Sequence, residues 1–162
     1  MNVGGAIRAL ISFLIFVVLH YTLRPLLGWR APMDFLVLAL LLAAVRVRPA
    51  TAAVIGFILG LLSDSLAPDA LGAGAIAMTV VGFGASYLKA VFFADNLVLN
   101  AFFFFLGKWV FDIIYFVGEQ RVHGVELVQQ LLLWSPLSAA VTAAVGVLLL
   151  FIMRPLLEPT PA

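Results

Sequence analysis

The sequence predicts an all-α integral membrane protein that crosses the bilayer six times, and three observations predict it. Of the 162 residues, 65% are hydrophobic and only 10% are charged, with a mean hydropathy of +1.20. Soluble domains carry about 25% charged residues, so no soluble fold of this length could bury so much apolar surface. The apolar residues are gathered into six runs separated by short polar or proline-containing stretches. We expect residues 1–162 to form a single transmembrane helical domain.

The composition excludes several classes of function. The formal net charge of +1 argues against nucleic-acid binding, which requires a basic patch. The chain has no cysteine, so disulfides, thiolate metal sites and thiol catalysis are excluded. His20 and His123 lie far apart and lack metal-ligand spacing. We therefore predict neither a metal nor a cofactor.

Each apolar run is expected to be helical, because lipid cannot satisfy unpaired main-chain polar groups. The first run has no clear cleavage site and further runs follow it, so it is interpreted as a retained helix and not a signal peptide. Pro32 and Pro49 stand in the first turns of the second and third helices, where proline is tolerated, and Asp34 suits the positive end of the second. Asp95 and Asn96 are suitable N-caps for the fifth. The six runs are Ala6–Leu23, Pro32–Val45, Pro49–Leu66, Leu71–Leu88, residues 97–118 and Leu131–Met153.

The stretch between the fifth and sixth runs, residues 119–130, is polar and mixed. Val125, Val128 and Leu132 have helical spacing, which favours a helix lying in the membrane interface. A plain loop that merges into the sixth helix fits the sequence equally well, and both interpretations stay open.

The distribution of basic residues predicts the orientation of the chain, because cytoplasmic loops are enriched in Lys and Arg. With six spans, one side of the membrane holds both termini, and five basic residues lie there against three on the other side. The Arg46 and Arg48 pair in a very short loop is the strongest part of this bias. We predict that both termini are cytoplasmic. The five are Arg8, Arg46, Arg48, Lys89 and Arg154, and the three are Arg24, Arg30 and Arg121.

Ala52, Gly56 and Gly60 fall four apart in the third run and share one helix face. Small residues at this spacing let two helix backbones approach closely in a membrane. This ladder either packs inside the bundle or binds another membrane protein, and the sequence leaves both open. Similar small-residue faces occur at Ala73–Ala77 and at Ser138, Thr142 and Gly146.

Asp64 lies at the C-terminal end of the third run, where the helix dipole disfavours a carboxylate. One compensation is capping of the N-terminus of the fourth helix near Leu71 and Gly72. Another is a salt bridge to Arg24 or Arg30, which the predicted topology places on the same side. No second group poised for catalysis is evident, so we predict a structural role in the turn.

Lys108 and Asp112 lie four apart in the middle of the fifth run and share one face. An isolated charge at this depth costs about 2.5–3.5 kcal/mol on insertion scales, and an ion pair offsets part of that cost. A structural ion pair facing the bundle interior is one interpretation. A path for protons or a solute is the other.

No enzyme signature is present. The sequence lacks the GxSxG, HExxH, P-loop and Rossmann glycine patterns, and no catalytic residue is predicted.

The third and fourth runs carry a recognisable motif. It consists of Gly56, Gly60-Leu61 and Asp64, followed after a short break by Leu71-Gly72. This arrangement resembles the rod shape-determining protein family MreD. The resemblance also covers the chain length, the short second span, the Arg46–Pro49 loop and the segment Gly82–Tyr87, whereas the first helix and the last two match only in hydropathy.

The resemblance implies a non-catalytic protein of the bacterial inner membrane that belongs to the cell-elongation machinery. It implies a partner like MreC, which has one membrane helix and a periplasmic domain. It also implies a link between cytoplasmic MreB filaments and peptidoglycan synthases. Membrane lipid is the remaining partner, and homodimerisation through a further face stays open.

A second function class stays open at this point. MreD-like proteins have a span pattern similar to that of the substrate-binding subunits of vitamin transporters. A small-molecule-binding membrane subunit should present convergent polar groups in a bundle cavity. Here the intramembrane candidates are Lys108 and Asp112, with Asp64 near a helix end, whereas small and aromatic residues dominate.

Overall fold

The computed structural model describes residues 34–65, 72–92, 96–119 and 124–157, together with Val18 and Thr22. Nearly all of the first apolar run therefore lies outside the described residues. The described part is helical and contains no strand. Its helices are α1 (Phe35–Ala44), α2 (Pro49–Ser65), α3 (Ala73–Phe92), α4 (Leu97–Glu119), α5 (Val125–Gln129) and α6 (Ser135–Leu157), with a π-helical turn at Gln130–Trp134 between the last two.

Within the described residues, three helical segments are long and apolar enough to cross a membrane, namely Ala73–Ala90, Leu97–Glu119 and Val125–Phe151. The helices Phe35–Ala44 and Pro49–Ser65 are apolar but shorter. The predicted class, an all-α membrane protein, is confirmed. The count of six spans and the orientation with both termini in the cytoplasm stay predictions.

Helices α2 and α4 begin at the predicted residues, Pro49 and Leu97, whereas other described helix ends differ from the predicted bounds by a few residues. Helix α1 begins at Phe35 and not at Pro32, because the Asp34 side chain caps it by accepting a hydrogen bond from Val37 N at 3.3 Å. Asn96 likewise accepts from Val98 N at the start of α4. Between the fifth and sixth runs the chain is helical from Val125 onward and continues through the π turn into α6.

Helix α1 forms the centre of the described bundle. It is apolar on all sides, and its buried residues face in every direction around the axis, as in a helix enclosed by neighbours. The other long helices lie around it in the order α2, α3, α4 and α6, each packing on the next, and α1 contacts all four. The fully buried side chains of α1 include Leu36, Val37, Leu40, Leu41 and Ala44.

The loop between α1 and α2 is held against the end of α3. Ser86 Oγ and Lys89 Nζ each donate a hydrogen bond of 2.7 Å to the carbonyl oxygen of Val47. Ser86 is only 2% exposed, so its hydroxyl reaches the loop from inside the bundle. These bonds fix the main chain between Val45 and Pro49, and the flanking Arg46 and Arg48 side chains are exposed.

Candidate functional site

The most polar part of the bundle interior is a cluster around Lys108 in the middle of α4. Lys108 Nζ donates to Asp112 Oδ1, one helical turn away, and lies 3.7 Å from Asp34 Oδ2 at the start of α1. All three residues are buried. The ammonium also lies 5.0 Å from the centroid of the Phe111 ring, within the range of a cation–π contact. The cluster therefore joins two helices through charges that are shielded from solvent and lipid.

The depth of the cluster follows from the length of α1. A ten-residue helix is about 15 Å long, roughly half of a bilayer core of about 30 Å. Because Asp34 lies beside the middle of α4, the N-terminus of α1 ends inside the bundle. Its carboxylate is thus both the cap of a short helix and the second acidic neighbour of Lys108.

The π turn before α6 brings two further groups to α4. Ser135 N donates to Gln130 O, five residues earlier, and Pro136 has no N–H that could donate to Leu131 O in the same register. Trp109 Nε1 donates to that Leu131 carbonyl at 3.3 Å. In the same turn Ser135 Oγ donates to Asp112 Oδ2 at 2.6 Å. The irregular turn is thus held to α4 by two side-chain hydrogen bonds.

Helix α6 also reaches the start of α1. Thr142, which is 1% exposed, accepts a hydrogen bond from Asp34 N at 3.4 Å through its hydroxyl oxygen. The buried polar network therefore contains Asp34, Lys108, Asp112, Ser135 and Thr142 and ties α1, α4 and α6 together. Of these five residues, the sequence pattern predicts only Lys108 and Asp112 as an intramembrane pair. The signal that could have added Ser135 and Thr142 is their placement with Ser138 on one polar face of an otherwise apolar helix.

Asp64 lies away from this network, at the junction of α2 and α3. Its Oδ2 accepts hydrogen bonds from Gly72 N at 2.9 Å and Ala75 N at 3.0 Å, and its Oδ1 accepts from Gly74 N at 3.2 Å. The carboxylate, 1% exposed, thus meets three amides at the start of α3, where helix N–H groups lack main-chain partners. Leu71, Arg24 and Arg30 lie outside the described residues.

The ladder of Ala52, Gly56 and Gly60 faces α3. A β-carbon added at Gly56 would overlap the Met78 carbonyl group, and one added at Gly60 would overlap the Ala75 main chain. A small residue on α3 contributes to the same contact, since a β-carbon at Gly82 would lie 2.6 Å from Ala52 O. Small residues on both helices therefore let the backbones of α2 and α3 touch.

The network consists of charged and hydroxyl groups that bind one another. Among the described residues, no three His, Cys, Asp or Glu side chains gather in a group that could hold a metal ion. Both oxygens of Asp112 accept hydrogen bonds within the bundle. The arrangement is suited to fixing the relative positions of three helices.

A family model described as rod shape-determining protein MreD matches residues 3–159 of the chain. The chain belongs to the MreD family. The resemblance noted on the glycine and aspartate motif is therefore confirmed, and it extends to the helices that matched only in hydropathy. Neither a curated protein nor a solved structure gives a significant match. Membership makes this MreD chain a rod-shape-determining membrane protein, from a family of structural proteins that is not known to be enzymatic.

Proposed function

We propose that this MreD chain is a non-catalytic component of the cell-elongation complex in the bacterial inner membrane. In this role it binds the single helix of an MreC-like protein and helps couple cytoplasmic MreB filaments to peptidoglycan synthesis. The family match over residues 3–159 is the observation that carries the proposal.

The internal packing of the bundle supports a scaffolding role for the protein. The polar groups of α1, α4 and α6 are engaged with one another, and the ladder on α2 is covered by α3. A partner helix therefore has to dock on an outer apolar face. Such faces occur on α2 at Val54, Phe57 and Ile58, and on α6 at Leu148 and Phe151, where these side chains are between 47% and 68% exposed.

The alternative, a small-molecule-binding subunit, requires polar groups that converge on a cavity. Two cavities lie between α3 and α4, and both have almost wholly apolar linings. None of the residues in the buried polar network lines either cavity. The described bundle therefore favours protein contacts over recognition of a polar, vitamin-sized molecule.

The absence of cysteine makes the test direct. Single cysteines at Phe57 and at Phe151 are cross-linked in native membranes to single cysteines in the helix of the MreC-like partner. A cross-linked heterodimer from one of the two positions supports the proposal and identifies the docking face. Cross-linking of the chain only to itself would indicate a homodimer on that face. Tight binding of a vitamin-sized molecule, with no partner cross-link from any exposed position, would contradict the proposal.

A further inference from the structure

One end of the bundle combines a fixed cationic loop with an apolar groove. Arg46 and Arg48 flank Val47, whose carbonyl is held by Ser86 and Lys89. Both arginine side chains are exposed, and neither guanidinium group bonds to a described residue, since only the main-chain groups Arg46 N and Arg48 O are hydrogen-bonded. Two guanidinium groups are thus presented on a main chain that is anchored to α3.

The groove lies between α3 and α4 and begins at the same end of the bundle. Its volume is about 220 Å³, and its floor is formed by Leu41 of α1. An added β-carbon at Gly84 would meet no atom within 4 Å, so this glycine opens the groove and is not needed for helix packing there. The remaining walls include Val80, Leu88, Phe103, Leu106 and Val110.

The last turns of α3 connect the loop to the groove. Ala85 and Leu88 line the groove, whereas Ser86 and Lys89, each the next residue along the chain, bind the loop. Leu41 lies in the last turn of α1, and Arg46 follows two residues after that helix ends at Ala44. The cationic groups and the apolar channel are therefore within the reach of one lipid molecule.

We propose that the Arg46–Arg48 loop and the groove between α3 and α4 form one site for an anionic phospholipid. Its phosphate binds the two guanidinium groups, and one acyl chain lies in the groove. Arginine binds phosphate through paired N–H donors, and basic pockets between membrane helices bind anionic lipid headgroups.

The charge complementarity selects an anionic lipid in preference to a partner helix or a neutral lipid. A basic loop alone is common on the cytoplasmic side of a membrane protein and does not by itself indicate a lipid-binding site. Two observations besides the charge support the site, namely the apolar groove and the anchoring of the Val47 carbonyl. The site does not depend on the proposed MreC-like partner, and it can be tested with the purified chain alone.

The test measures lipid binding to the full chain by native mass spectrometry in detergent, with dioleoyl phosphatidylglycerol and dioleoyl phosphatidylcholine as probes. We expect the wild type to prefer phosphatidylglycerol. Arg46→Gln/Arg48→Gln should lower that affinity by about 25-fold, since each surface arginine contributes roughly fivefold. Arg121→Gln, on the opposite predicted side, is the charge control; it removes one arginine where the test variant removes two, and it should change the affinity less than about twofold.

The groove is tested separately. Gly84→Leu should weaken binding of both lipids, whereas Val54→Phe on the outer face of α2 should not. On the wild type, dihexanoyl phosphatidylglycerol should compete far more weakly than the dioleoyl lipid, and glycerol phosphate should not compete. Equal binding of the two dioleoyl lipids, or an equal loss in the Arg121→Gln control, would overturn the proposal. Competition by glycerol phosphate, or by the dihexanoyl lipid as strongly as by the dioleoyl lipid, would also overturn it.

Discussion

Ser135 Oγ donates a hydrogen bond of 2.6 Å to Asp112 Oδ2 and so joins the first residue of α6 to the middle of α4. The other oxygen of the same carboxylate accepts from Lys108, which also lies near Asp34. The Asp112 carboxylate therefore accepts hydrogen bonds from the ammonium of Lys108 on its own helix and from the hydroxyl of Ser135 on α6. Asp112 is therefore the centre of the polar network. The contribution of each neighbour to stability can be measured by substitution.

Lys108→Met should destabilise the protein more than the double change Lys108→Met/Asp112→Leu. Removal of one member of a buried ion pair typically costs about 3–5 kcal/mol, because the other charge is left buried and unpaired. The single change leaves both Asp112 and Asp34 without the ammonium, whereas the double change leaves only Asp34, which still accepts from Val37 N, and removes the acceptor of Ser135. A double-mutant cycle on the unfolding midpoint in detergent measures the coupling. Purely additive effects would show that the two side chains act in separate environments.

Ser135→Ala should lower the free energy of unfolding by about 1.5–3 kcal/mol, the usual contribution of a hydrogen bond to a charged group. Ser65→Ala is the matched control, because its exposed hydroxyl donates to Leu62 O on its own helix. We expect the control to change unfolding by less than about 0.5 kcal/mol. If the two substitutions had the same effect, the hydrogen bond to Asp112 would not hold α6 in place.

Asp64→Asn should retain more folded protein than Asp64→Leu. Asparagine keeps one oxygen that can accept from the amides at the start of α3, whereas leucine leaves the amides of Gly72, Gly74 and Ala75 without their partner. The measurement is the monodisperse yield from detergent-solubilised membranes. Two variants that both fold normally but fail to support rod shape would assign Asp64 a role beyond capping.

Gly56→Leu and Gly60→Leu should each reduce folded yield strongly, because the new side chain would overlap the main chain of α3. Gly84→Leu provides a matched control, since it adds the same volume to a helix position with open space. Normal yield of the Gly56 and Gly60 variants with loss of the MreC-like partner would place the partner on the ladder. It would also contradict the packing described between α2 and α3.

The orientation of the chain is tested with single cysteines at Ala50 and Ser65, which are exposed and stand near opposite ends of α2. An impermeant thiol reagent applied to intact spheroplasts should label the cysteine at Ser65 and leave the one at Ala50 unlabelled. Permeabilised cells provide the control for reactivity at Ala50. The opposite pattern would place the termini outside the cytoplasm.

The sequence predicts those parts of the structure that depend on neighbours along one helix. Lys108 and Asp112 are four apart, so a helix places them side by side whatever surrounds them. The Asp64 carboxylate at an unfavourable helix end indicated a capping role at the start of the next helix. The regular spacing of Ala52, Gly56 and Gly60 indicated a close helix contact but did not indicate which helix makes it.

The rest depends on contacts between distant segments. Asp34 and Thr142 are 108 residues apart, and no pattern in an apolar chain brings their helices together. The π turn also depends on a contact with another helix, because the indole of Trp109 donates a hydrogen bond to the Leu131 carbonyl, which Pro136 leaves without a donor. Pro136 explains why the helix is irregular here, but only the packed bundle determines that Ser135 faces Asp112.

We propose that this MreD chain works by holding a partner in the membrane, and a binding titration is the sharpest test of that role. The purified chain in lipid nanodiscs is titrated with the fluorescently labelled membrane helix of the MreC-like protein, and an unrelated single-span helix serves as the control. We expect saturable binding of the MreC-like helix that the control does not reproduce. No difference between the two helices, together with tight binding of a vitamin-sized molecule by the same nanodiscs, would contradict it.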